Sequence, residues 1–207
     1  FSNFQQEWEN VERELNLERE LVNFEIDMKK RNTKKKLANL SQFSMNEQSQ
    51  IIQDARLLSL ETLQEFAQQI FADPFVAGHI QRAFLELLVE LGDKNNYTFS
   101  WFNQSKELSP IECTVFSQSI VLKKVNENLE KKLDKYPSMI EGIRMEMIND
   151  LLMLYPFEKE VVTDSDYWIQ AYMSVYIDSL ELPEPINEQQ EDMNDWIEKL
   201  NMISKRI

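Results

Sequence analysis

Residues 73–92, DPFVAGHIQRAFLELLVELG, decide the fold class. Asp73 is a capping residue, Pro74 is pre-set for a first helical position, and Gly92 supplies a stop. Between them Phe75, Val76, Ile80, Phe84, Leu87, Leu88 and Leu91 recur at helical spacing. That pattern predicts a helix from Pro74 to Gly92, apolar enough to be central.

The stretches on either side repeat the theme. Ser44 and Glu47 form a capping-box pattern ahead of Ile51, Ile52, Ala55 and Leu58. Ser59 starts a second helix with Leu63, Ala67, Ile70 and Phe71 inward, and the two are expected to pair as a hairpin. Further upstream, Phe4, Trp8, Val11, Leu15 and Val22 share one stripe of a long helix that Asn32 and Thr33 are expected to interrupt. Eight acids lie between Glu7 and Asp27, and six bases follow from Lys29 to Lys36. Acids early and bases late suit the helix dipole, so a solvated helix is the plain reading. A basic contact patch and charge-matched pairing between two copies are the alternatives.

Downstream of Gly92 the period changes. Tyr97, Phe99 and Trp101 alternate with Thr98 and Ser100, which predicts a strand that turns at Asn103-Gln104 and returns over Lys106 to Leu108. Ser109-Pro110-Ile111-Glu112 then reads as a helix start, with Phe116, Ile120, Val125, Leu129 and Leu133 inward. A helix after Tyr136-Pro137 carries Ile140, Ile143, Met147, Ile148, Leu151 and Leu152. Another, capped by Thr163 or Ser165, carries Trp168, Ala171, Tyr172, Val175 and Tyr176. Leu182-Pro183-Glu184-Pro185 is a stiff connector to an amphipathic stripe of Met193, Trp196, Ile197, Leu200 and Ile203.

The expected fold is therefore all-α, a right-handed stack or bundle of helical hairpins with one small β-hairpin near residues 97–108. Its expected parts are a helical arm over 1–43, a core over 44–182 and a Pro-linked helix over 183–207. Three glycines in 207 residues leave little material for phosphate-cradling loops. The net charge of −14 repels nucleic acid and anionic membranes, so neither is an expected partner. No apolar run approaches a membrane span, Phe1 opens neither a basic nor an apolar leader, and the single Cys113 fits the cytoplasm. A chain that starts on Phe1 is also read as one that can continue upstream.

The segment from about Ile51 to Leu180 resembles a family of uncharacterised bacterial proteins, mostly from low-GC Gram-positive organisms, associated with tetratricopeptide-like helical repeats. The likeness rests on Asp73-Pro74-Phe75-Val76, Tyr97 to Phe102, Leu154-Tyr155-Pro156-Phe157, and Tyr167-Trp168 with Ala171-Tyr172. It implies a multihelical domain with a binding role and transfers no catalytic residues. The chain lacks the 34-residue series of Trp-x-x-Leu-Gly cores that true tetratricopeptide repeats carry.

Candidate chemistry is sparse. Glu86, Glu90 and Asp93 superficially resemble the magnesium-holding helix of all-α nucleotide pyrophosphohydrolases, in which carboxylates on one face hold the ion that bridges substrate phosphates. A facing acidic pair is needed, and Glu61 with Glu65 or Glu141 with Glu146 are poorly spaced for it. Gly92 also turns Asp93 off the helix. His79 reads as a partly buried packing residue and Cys113 as a small buried hydrophobe, with a reactive thiol at a helix start as its alternative. Trp168, Tyr172 and Tyr176 recur every four residues. Core packing explains that ladder most simply, while exposure in a groove would make it a peptide anchor, which is the site hypothesis carried forward. The expected function is a non-enzymatic protein-interaction module without a cofactor, binding a protein or peptide. A magnesium-dependent pyrophosphohydrolase and a structural homodimer joined through the terminal helices are the alternatives.

Overall fold

The computed structural model describes the backbone of residues 2–133, 140–176, 181, 183–185 and 187–204, and their side chains except at 2–7, 9, 10, 133, 140, 176 and 204. The fold is all-α and multihelical with one two-stranded antiparallel sheet. It divides into two units, Phe1–Ser109 and Pro110–Ile207. The division falls inside the segment read from the sequence as one helical core. The expected turn of Tyr136-Pro137 lies outside the described residues, as do Ile177 to Leu180 and Leu182.

The first unit begins with α1 (Ser2–Leu37), 36 residues long and unbroken at Asn32 and Thr33. Thr33 does not interrupt it because its Oγ1 donates to the Lys29 carbonyl one turn back, at 2.9 Å, and stays within the helical path. After a single 3-10 turn over Leu40–Gln42, the chain returns as α2 (Met45–Ala55). The expected capping box is present: Ser44 N and Oγ both donate to Glu47 Oε2, at 2.9 and 2.6 Å. Those bonds hold the Glu47 carboxyl below its usual range. Ser59 caps α3 (Leu60–Ala72), accepting from Thr62 N at 3.4 Å.

Residues 73–77 correct the sequence reading. Asp73 does not open a helix; its backbone closes α3, and its Oδ1 accepts from Phe75 N at 2.9 Å in an Asx turn. The next helix, α4 (Gly78–Glu90), starts one turn late, and Phe75, expected inward, is 78% exposed. Its C-terminus follows expectation. Gly92 takes a φ of 69°, Asp93 N donates to the Leu88 carbonyl and Gly92 N to that of Val89, both at 3.0 Å, forming a Schellman cap. Leu91 nevertheless faces outward.

Strands β1 (Tyr97–Trp101) and β2 (Gln104–Leu108) form the hairpin, paired from Tyr97 opposite Leu108 to Trp101 opposite Gln104. The turn sits one residue earlier than expected, on Phe102 and Asn103, whose φ values of 46° and 65° match the primed turn that suits strand twist. A two-stranded sheet is marginal in water, and this one is held by its aromatic face. Tyr97, Phe99 and Trp101 are buried while Thr98 and Ser100 are exposed. The ring of Phe71 on α3 meets Tyr97, Phe99 and Phe84 edge-on, with centroids 5.5, 5.3 and 5.8 Å apart. One side chain thus joins α3, α4 and the hairpin.

In the second unit the helix expected from Ser109 is replaced by 3-10 turns over Pro110–Glu112 and Phe116–Gln118, and α5 (Ile120–Leu133) begins only at Ser119. Ser119 Oγ accepts from Leu122 N at 3.4 Å, which makes Ser119 the cap. The inward row is consequently Val121, Val125 and Leu129, with Ile120 exposed. Helix α6 (Ile140–Leu154) buries Ile143, Met147 and Leu151, and leaves Ile148 and Leu152 half-buried. A short α7 (Glu158–Val161) leads to α8 (Ser165–Tyr176). Its cap is Asp164 rather than Thr163 or Ser165, since Asp164 Oδ1 accepts from Asp166 N at 3.0 Å and Tyr167 N at 3.1 Å. Finally α9 (Glu188–Ser204) buries Met193, Ile197 and Leu200 and packs on α8.

Phe71→Ala is expected to cost about 3–5 kcal/mol, because it empties the junction of three elements. Urea unfolding followed by circular dichroism checks this; a loss below about 1 kcal/mol would be the cost of a surface position.

Candidate functional site

Two members of the aromatic ladder, Trp168 and Tyr172, are core. Trp168 and Tyr172 are both 0% exposed, packed between α8 and its neighbours α5, α6 and α9. They line no open groove, because helices cover the face that carries them. The side chain of Tyr176 lies outside the described residues.

The carboxylate trio is divided among other tasks. Glu90 pairs with Arg56, the residue that follows α2, at 2.6 Å across the surface. Glu86 is half-buried on α4. Asp93 is fully buried beyond the glycine cap, where its Oδ1 accepts from Gln64 Nε2 at 2.7 Å and Asn95 N at 3.0 Å, and its Oδ2 from Tyr97 OH at 2.6 Å. Asp93 is therefore a clamp joining α3, the end of α4 and β1. Three donors converge on this one buried carboxylate. No group of three or more His, Cys, Asp or Glu side chains among the described residues is placed to hold a metal ion.

Tyr97 is pushed up to about 12, by burial first and then by the hydrogen bond and charge of Asp93. Cys113 follows a single 3-10 turn rather than opening a helix, and burial, with Glu158 and Glu112 nearby, pushes its thiol up to about 11. A thiol so raised is protonated near neutrality, opposite to what a reactive cysteine needs. His79 is exposed rather than packed; its pKa is lowered, by desolvation first and by Arg82 second.

What remains is a surface. Helix α1 packs on α2, and the ion pairs Lys29–Asp54 at 2.8 Å and Lys34–Glu65 at 2.7 Å tie its last turns down. Thr33 and Leu37 are buried there. Helix α2 returns along α1 as far as the Lys29–Asp54 pair and then ends at Ala55. Beyond it, Trp8 and every side chain from Val11 to Lys29 are exposed. At about 100° per residue, Trp8, Val11, Leu15, Val22 and Ile26 fall within about 60° of one another and in line with Thr33 and Leu37. A second row, Leu17, Leu21, Phe24 and Met28, runs along another side. The sequence announced Trp8, Val11, Leu15 and Val22 of the first row, though not Ile26, with no sign that these side chains would be exposed.

No protein-family model matches the chain, and no curated protein or solved structure matches it. Among the described residues, no helix is long and apolar enough to cross a membrane.

Two outcomes follow from this placement. Trp168→Ala and Tyr172→Ala should each lower stability by about 3–5 kcal/mol in denaturant unfolding, the cost of an emptied core position; unchanged midpoints would mark them as surface. The Tyr97 shift has a definite sign. Its protonated form is favoured by the fold, so that stabilisation is intact below the ordinary value of 10.0 and is lost as pH rises towards 12. Absorbance of tyrosinate should lose a late-titrating phenol on Tyr97→Phe, whereas a late phase unchanged by that substitution would contradict the clamp.

Proposed function

We propose that this chain is a non-enzymatic protein-interaction module whose contact surface is the exposed apolar face of α1. The observation that carries it is the row Trp8, Val11, Leu15, Val22 and Ile26, uncovered along the part of the helix that α2 does not reach. Helices gain most of their stability from packing an amphipathic face, and an isolated one is marginal in water. An extended helix with such a row is an unfinished interface, completed by another chain laid along it. Deep burial of Trp168 and Tyr172 moves the proposed site from the second unit to the first. The proposed resemblance to bacterial tetratricopeptide-like proteins agrees with a binding role, and the lone Cys113 with a cytoplasmic setting.

A photo-crosslinking amino acid at Leu15 or Val22, placed in the intact chain in cells, should yield a discrete protein adduct, while the same group at exposed Glu61 on α3 should not. Adducts equally abundant at all three positions, or at none, would defeat the reading.

A further inference from the structure

We propose that the occupant of the α1 face is α1 of a second copy of this chain, lying antiparallel and centred near Glu18; this rests on the interaction reading above and names its partner. Two apolar helix faces were candidates for self-association. That of α9 is already spent, since Met193, Ile197 and Leu200 are buried within the second unit. That of α1 is not. Its row runs in line with Thr33 and Leu37, so a second helix laid along residues 8–26 takes the place that α2 takes along residues 29–37. The interface continues a packing surface the fold already builds.

Charge selects both the copy and the direction. In heptad terms, Trp8, Val11, Leu15 and Val22 are spaced by three, four and seven residues, and Glu18 and Glu25 occupy the remaining positions of the same seam. A parallel pair sets Glu18 against Glu18 and Glu25 against Glu25, and stacks acidic halves along their whole length. Like charges in register oppose association. Turning one helix round brings Val11 and Leu15 of one copy onto Val22 and Ile26 of the other, twice by symmetry. It sets Glu18 beside Arg19 of the second copy, and carries the basic run Lys29 to Lys36 past the acidic start of its neighbour. Reversal leaves Glu25 opposite Glu12 of the second copy, so the complementarity of this isologous two-fold contact rests on the paired Glu18–Arg19 contacts and the basic run. The shared length, 18 residue steps from Trp8 to Ile26, is about 27 Å or five turns. That suits a reversible dimer.

Sedimentation equilibrium of the whole chain should show a mass rising from 24.7 kDa to twice that value over the micromolar range. Leu15→Asp with Val22→Asp should weaken the dimer at least about tenfold, with helicity and thermal midpoint retained because both side chains are exposed. Direction is read separately. In a Cys113→Ser background, oxidation of a mixture of Leu15→Cys and Val22→Cys chains should give the mixed disulfide dimer in excess over either self-dimer. A chain that stays monomeric throughout, or that sediments identically with and without the aspartates, overturns the second copy. A Leu15→Cys self-dimer in excess overturns the antiparallel arrangement. Photo-adducts from α1 to a different protein, with a monomeric chain, would preserve the interaction reading while removing this one.

Discussion

A helix can be covered only as far as its neighbour extends, and α2 ends at Ala55. The Lys29–Asp54 ion pair marks the limit. On one side of it α1 is part of a core, with Leu37 fully buried; on the other, its side chains meet water as far as they are described. Fully burying one Val, Leu or Ile side chain is worth about 1.5–3 kcal/mol, so a row of them left in water is a substantial unused driving force. The rest of the first unit anchors the base of that helix. Phe71 welds α3, α4 and the hairpin, and α4 packs on α2 and α3 while α2 holds the base of α1.

The acidic groups that suggest chemistry in the sequence make cohesive contacts in the fold. Asp93 is the clearest case: spaced three residues from Glu90, it has metal-ligand spacing, yet the Schellman cap turns it into the interior, where three donors consume it. Glu90 is held by Arg56 and points elsewhere. The spacing of acids along a sequence specifies a shared face only while the helix lasts. Here α4 ends at Glu90, three residues before Asp93, and Gly92 turns the chain between them.

Much of the fold was legible because its signals are local. The Ser44–Glu47 box, the Ser59 cap, the Gly92 stop and the alternation of Tyr97, Phe99 and Trp101 each act within a few residues. Misreadings arose where one residue type serves two tasks. Asp73 caps a helix in one context and closes an Asx turn in another, and the side chain that decides, Phe75, was displaced outward with it. Ser109 and Ser119 offer the same cap, and only packing of Val121, Val125 and Leu129 selects the second. The candidate site was half legible. Periodicity gave the apolar rows of α1 and α8 alike, but which row finds cover depends on the lengths of neighbouring helices, a property of the assembled fold.

The central claim is that the exposed apolar face of α1 over residues 8–28 is completed by surface from outside the chain that carries it, namely the same helix of a second copy. Amide hydrogen exchange resolved along α1 tests it most directly, measured at nanomolar and at high micromolar protein. Protection over residues 8–28 should rise with concentration while that of α3 and α4 stays constant. Equal protection of that stretch at both concentrations would contradict the account.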